Sequence, residues 1–316
     1  MRPSPGETHR PRVPAPAGRS PRERPWSGAP GGAPLADAGA APLAGPCAAH
    51  HPDELPLLSI AIAGGKGGIG KTNLAANLAI GMSDLGRRVL LLDGDLSLAN
   101  VDLLLGLAPR HTLHDVVTGR RRMEEIVLAG PAGVRILPAA SGIEEMADLD
   151  EVRRERLLRS LARVTGDRDV LIIDTAPGIQ AQNLRLARAA DEILVVTTPE
   201  PPAFADAYAT LKVLSAHALA RPPRLVVTMA RDRGEARRVS ERIGRVARRF
   251  LGLDLELCGV IPRDAAVARA VRRQQPFVRA YPDSPAAEAI RDLARRLLDP
   301  PERPRRRARP AALQAA

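Results

Sequence analysis

Between positions 57 and 299, short apolar runs alternate with longer stretches of helical period. The runs Leu58–Ala63, Arg88–Asp93, Val134–Pro138, Asp169–Asp174, Glu192–Thr197, Arg224–Met229 and Glu256–Ile261 read as strands. Thr72–Leu85, Glu151–Val164, Ala203–His217, Glu235–Phe250 and Pro285–Leu298 read as helices. Gly86 stops the first of these, and Ser284 caps the last with Glu288 in its first turns. Strand and helix in turn, at short spacing, argue for βαβ units on a mostly parallel sheet, an α/β doubly wound fold in one domain. In Glu235–Phe250 the residues Val239, Ile243, Val246 and Phe250 form a stripe expected to face the core. Arg238, Arg242, Arg245 and Arg249 form a second stripe on that helix.

The flanks differ. Residues 1–56 hold 13 of the 30 prolines among Gly, Ala, Ser and Arg, and read as a disordered tail in which Trp26 is a solvated linker residue. Residues 300–316 read as a second, basic tail, with Arg303, Arg305, Arg306, Arg307 and Arg309 broken by prolines.

Composition narrows the chemistry. Aromatic residues are 2% of the 316, so the core is aliphatic. The two cysteines, Cys47 and Cys258, exclude a disulfide framework, a CxxC pair and a four-thiolate metal site. The six histidines form no ligand cluster. No apolar run approaches the roughly 20 residues of a membrane helix, and the start lacks an apolar signal region. The expectation is a soluble protein of a reducing compartment. The net charge of +11 permits nucleic-acid or anionic-membrane contact without establishing either. Residues 221–280 carry much of it, with 15 Arg against 6 acidic residues. An arginine stripe opposite an apolar stripe is ordinarily a solvated face, and nonspecific DNA stays open as an alternative partner.

The most specific feature is Gly64-Gly65-Lys66-Gly67-Gly68-Ile69-Gly70-Lys71-Thr72, ahead of Asn73. It matches G-x-x-x-x-G-K-[ST], follows a strand and opens a helix, which is the context a phosphate loop needs. Glycines let backbone N–H groups curl around phosphates. Lys71 supplies charge to the phosphates and Thr72 a hydroxyl to Mg²⁺. Only Lys66, Lys71 and Lys212 are lysine, and two of the three lie in this loop. An ammonium in a tight phosphate nest is not replaced by arginine's fork. Two carboxylate elements follow. Asp93-Gly94-Asp95 ends the second strand, ahead of Asn100 and Asp102. Asp174 ends an apolar strand, where it can hold Mg²⁺ through water, and Gly178 lies just beyond.

The K-G-G-x-G-K-T loop resembles the deviant Walker A of the MinD/ParA ATPases, P-loop NTPases of the SIMIBI type. The resemblance implies a dimer that ATP holds together, with Lys66 reaching the partner subunit's nucleotide. Asp93–Asp102 is similar to the family's first switch, which implies that Asp95 polarises the hydrolytic water, Asp93 supports the site and Asn100 lies near the γ-phosphate. Gly178 would belong to a second switch. Family members read adenine with an Asn after a later strand and with a P-x-D loop; here Thr228 stands at the first place, and Pro262 and Asp264 match the second. With no N-K-x-D present, ATP is the expected nucleotide.

Further stretches, GKTN at Gly70–Asn73, SLANVDLLLGL at Ser97–Leu107, TLHDVVTG at Thr112–Gly119, LPAASG at Leu137–Gly142 and the TTPEP run within Val195–Leu214, look like the FlhG group of MinD-like ATPases. These control flagellar number and placement. The resemblance implies a cytoplasmic ATPase whose dimer engages the SRP-type GTPase FlhF, basal-body proteins or a transcriptional regulator. The group's D-Q-A-x-x-L-R segment is missing from residues 1–56, and the arginine-rich end has no apolar face. That leaves weak electrostatic membrane contact at the inner face. A ParA-like partition ATPase on DNA and a MinD-like division-site ATPase are the alternatives.

Overall fold

The computed structural model describes residues 58–95, 100–139, 160–161, 164–165, 168–217 and 219–299. The two tails, Ser97 and most of the helix expected at Glu151–Val164 lie outside the described residues. Eight strands form one sheet: β1 (Leu58–Ala63), β2 (Val89–Gly94), β3 (Leu128–Ala129), β4 (Arg135–Leu137), β5 (Val170–Thr175), β6 (Glu192–Thr197), β7 (Arg224–Ala230) and β8 (Leu257–Pro262). Their order is β3-β4-β2-β5-β1-β6-β7-β8. All pairs are parallel except β3 with β4. The chain runs outward from β1 to β2, returns through β5, and then leaves on the other side through β6. The loops after β1, β2 and β5 therefore meet where the winding reverses, at the carboxyl edge that open α/β sheets use for ligands.

The helices are α1 (Lys71–Asp84), α2 (Val101–Leu105), α3 (Leu113–Val117), α4 (Met123–Ile126), α5 (Ala181–Arg188), α6 (Pro201–Ser215), α7 (Arg233–Leu251), α8 (Ala265–Arg272), α9 (Phe277–Ala280) and α10 (Pro285–Leu298). The strand period of two divides the core between two faces. Ile60, Ile62, Leu91 and Ile172 pack with Leu74, Leu78 and Met82 of α1 and Ile290, Leu293 and Leu297 of α10. Ala61, Leu90, Leu171 and Ile173 pack on the other face with Leu184 of α5, Leu211 of α6 and Ile243 of α7. Each fully buried Leu or Ile contributes about 1.5–3 kcal/mol. Burial on both faces explains why the strands read as continuous apolar runs.

The predicted strands all form, with ends within a residue or two. The short helices α2, α4, α5, α8 and α9 were not legible, because segments of four to eight residues offer too little periodicity to separate from turns. Ser284 caps α10 as expected, its Oγ accepting from Ala287 N at 3.3 Å. Phe250 corrects one expectation. The inward row of α7 is Ala236, Ser240, Ile243 and Ala247, and the helical period carries it on to Leu251, which packs on the core. Phe250 is 63% exposed, with the Arg249 guanidinium 5.3 Å from its ring centre. The arginine stripe is solvent-facing as the pattern implied. No helix among the described residues is long and apolar enough to cross a membrane.

Candidate nucleotide site

Helix α1 opens at Lys71, directly after Gly70 in the left-handed region at φ 88°. A side chain there would be strained, so the tight reversal from loop to helix depends on glycine. No side chain caps this end, whereas Asp232, Asp264 and Ser284 cap α7, α8 and α10. The first-turn N–H groups of α1 are thus left facing out of the helix, where the dipole favours an anion.

A cavity of about 540 Å³ lies over this end, lined by Gly67, Gly68, Gly70, Lys71, Thr72 and Asn73. Asp95, Asn100, Leu103, Leu104, Thr175, Pro177, Met229, Val271 and Gln274 complete it. The volume suits a mononucleotide-sized ligand. Lys71 is buried and its Nζ donates to Lys66 O at 3.1 Å. Burial pulls its ammonium below the ordinary range, opposed by the negative charges of Asp174 and Asp95. Lys66 is half-exposed, with its Nζ 3.5 Å from Glu200 Oε2. Gly178 N donates to Gly64 O at 3.4 Å, which brings the loop after β5 against the start of the phosphate loop. Gly65 and Ile69 belong to that loop's frame, Ile69 being buried.

The three carboxylates end neighbouring strands. Asp93 and Asp174 are register partners across β2 and β5. Asp93 Oδ1 accepts from Asp95 N at 3.1 Å, and its Oδ2 accepts from Asn100 N and Val101 N at 3.2 and 3.3 Å. Asp93 therefore folds the chain around Asp95. Burial pushes the Asp93 carboxyl up to about 7, with Asp174's charge adding to the rise. Burial raises Asp174 to about 6, against the hydrogen bond from Thr72 and the charge of Lys71. Asp174 Oδ1 is buried and has no hydrogen-bond partner among the described residues. An orphaned carboxylate oxygen beside the Thr72 hydroxyl fits a hydrated Mg²⁺, which takes one or two protein ligands and fills its shell with phosphate and water. No group of three or more His, Cys, Asp and Glu that could hold a metal occurs among the described residues, and a phosphate-bound Mg²⁺ does not require one.

These two shifts set a pH dependence. Both carboxyls bind their protons more tightly folded than unfolded, where the ordinary value is 3.8. Their contribution to stability is fully present below that value and is lost as pH rises through about 6 to 7. The melting temperature of the nucleotide-free chain is expected to fall across this window, and Asp93→Asn to flatten the fall. Thermal melts from pH 4.5 to 7.5 check it; an unchanged slope in the variant refutes the assignment.

Three of the expected base contacts are placed elsewhere. Thr228 is buried and its hydroxyl donates to Ile69 O at 2.7 Å, holding the phosphate loop from behind. A register shift between Thr228 and Ala230 and a φ of 57° turn the next residue, Met229, outward to the cavity. Asp264 caps α8, its Oδ1 accepting from Ala266 N at 2.8 Å, and its Oδ2 accepts from Ala286 N at 3.1 Å. With Pro262 ending β8, none of the three lines the cavity. Met229, Leu103 and Val271 form its apolar rim instead. Sequence reading missed these and Glu200, although Glu200 lies in the TTPEP run and Met229 directly follows Thr228.

A family model described as ParA, NUBPL iron-transfer P-loop NTPase, matches residues 58–298, which span the whole of this sheet and site. The chain belongs to the ParA family of P-loop NTPases. Among the relatives of this ParA-family chain, the antiactivator FleN of Pseudomonas aeruginosa is 44% identical over 243 residues, covering 77% of this chain and 86% of FleN. The flagellum site-determining protein YlxH of Helicobacter pylori is 31% identical over 243 residues, covering 74% and 80%. The MinD septum site-determining protein of Pyrococcus horikoshii, solved with Mg-ADP, superposes with a TM-score of 0.60 at 29% identity, covering 75% of this chain and 94% of that one.

Proposed function

We propose that this ParA-family chain is a Mg²⁺-dependent ATPase switch that dimerises on ATP, is released by hydrolysis, and regulates flagellar number and placement. One arrangement carries the ATPase reading: Lys71 and Thr72 at the uncapped start of α1, facing the unpartnered Asp174 oxygen, with Asp95 beside them in one cavity. Similarity to FleN and YlxH supports the flagellar role.

In this reading the loop N–H groups and Lys71 hold the β- and γ-phosphates of ATP. Mg²⁺, held by Thr72 and Asp174, supplies charge neutralisation at those phosphates when bound. Asp95, oriented through its backbone N–H on Asp93, places the attacking water in line with the γ-phosphorus. Lys66 leaves Glu200 for the nucleotide of the partner subunit, so hydrolysis is slow until the dimer forms. The protein acts in the cytoplasm, where the arginines of residues 300–316 give only electrostatic attraction to an anionic membrane. FlhF, basal-body proteins or a transcriptional regulator are the partner classes.

Phosphate release measured with Mg²⁺ and with chelator, alongside flagellar counts in a deletion strain, tests the reading. A chain that binds no ATP, or a deletion that leaves flagella unchanged, overturns it. For Lys66→Ala, ATP binding is expected within about threefold of wild type while the ATP-dependent dimer is lost, as read by light scattering with and without ATP. The exposed Lys66–Glu200 pair contributes at most about 1 kcal/mol to the monomer, so its fold should persist. A second reading, a partition-type ATPase that tracks DNA, has the exposed arginines of α7 in its favour. DNA affinity without a salt slope dismisses it.

A further inference from the structure

We propose that Gln274 is a positioning residue for α2, the short helix that follows Asp95, and through it for the water-activating side of the site; the inference rests on the ATPase reading above. Helix α2 is five residues long, too short to persist alone. Its first end is held by Asp93, which accepts from Asn100 N and Val101 N. At its other end Asp102 O accepts from Leu107 N at 2.9 Å, and Leu103 O accepts from Gly106 N at 3.4 Å, a long bond that leaves the carbonyl's second lone pair open to another donor. There, Gln274 Nε2 donates to Leu103 O at 3.2 Å, across 171 positions of sequence.

The approach is close. Gly106 ends α2 in the left-handed region at φ 65°, and a Cβ there would sit 3.3 Å from Gln274 O and 3.6 Å from Gln274 Cβ. Gln274 itself has φ 52°, a conformation that glycine adopts freely and glutamine only under strain. Its backbone is held by Gln274 N to Val271 O at 3.0 Å and Gln275 N to Ala270 O at 3.1 Å. Glycine would serve this turn better. What glutamine adds at the position is the amide that reaches α2.

Helix α9, which follows the turn that carries Gln274, is tied in turn to α1. Val278 N donates to the buried Asn77 Oδ1 at 3.1 Å, and Arg279 pairs with Asp84. Asn77 and Asp84 are both on α1, the helix that starts with Lys71 and Thr72. Gln274 thus links α2 to a segment anchored on the middle and far end of α1, and Gln274 and α2 line the same cavity as Asp95.

The test compares Gln274→Gly and Gln274→Glu in the full chain. Both lose the donor, while only glycine relieves the backbone strain. Without nucleotide, amide exchange at Leu104, Gly106 and Leu107 is expected to be about fivefold faster in both variants, the worth of one hydrogen bond. With ATP and Mg²⁺, kcat is expected to fall about fivefold in both while KM for ATP stays within about twofold. Melting temperature should rise by about 2–4 °C in Gln274→Gly alone. A side chain with only a structural role would lower stability and activity together. Unchanged exchange in variants that hydrolyse ATP like wild type overturns the positioning role and leaves the ATPase reading standing. A wild-type chain that hydrolyses no ATP, with exchange still accelerated in the variants, overturns the ATPase reading and the positioning role with it.

Discussion

Lys71→Ala is expected to weaken ATP binding by about a hundredfold or more, measured by titration of a fluorescent ATP analogue or by calorimetry. Lys71 is buried, opens the uncapped α1 and donates from Nζ to Lys66 O at 3.1 Å. Truncating one partner of a buried, hydrogen-bonded charge pair costs about 2–5 kcal/mol, most of it from the charge left unpaired. In the nucleotide-free chain Lys71 is also a counter-charge to Asp174 and Asp95. Its loss should push the Asp174 carboxyl higher still and weaken Mg²⁺ binding. Lys71→Arg is not expected to rescue, because a planar fork does not fit a nest built around a point charge. Circular dichroism should show both variants folded. ATP affinity within about threefold of wild type for the alanine variant would remove Lys71 from the phosphate site.

Asp95→Ala is expected to lower kcat by about 10²–10³-fold while ATP affinity changes only a few-fold. The reason is the division of labour among the carboxylates. Asp174 carries the unpartnered oxygen suited to Mg²⁺, and Asp93 has its oxygens committed to the N–H groups of Asp95, Asn100 and Val101. Asp95 is the one placed in the cavity lining. The variant should accumulate as an ATP-bound dimer that persists through size-exclusion chromatography. That locked form is the right bait for the partner: capture of FlhF or basal-body proteins supports the flagellar reading, and capture of a centromere-binding protein supports the partition reading. Normal hydrolysis by Asp95→Ala would reassign the water-orienting role.

Much of the site could be read from spacing. The phosphate loop, the carboxylates at the ends of β2 and β5 and the start of α1 are each set by residues within about ten positions of one another. Their backbone consequences are local: a glycine at positive φ, a strand end, a helix start. The two-faced burial of the strands was likewise written in their apolar runs. Base recognition was less legible. Thr228 stands at the expected sequence position, yet the shift in register at the end of β7 sends its hydroxyl to Ile69 and leaves Met229 on the cavity. A single-residue irregularity in a strand reverses which side chain faces the cavity, and no motif announces it.

The sequence by itself determined the α/β alternation, the phosphate loop and the order of the carboxylates, because helix and strand periods and glycine conformations act over neighbouring residues. Only the tertiary structure decided that Lys66 meets Glu200, that Asp264 caps a helix, that Phe250 faces solvent, and that Gln274 holds α2. Those outcomes depend on strand order, register and helix phase, which bring Gln274 to Leu103 across 171 positions.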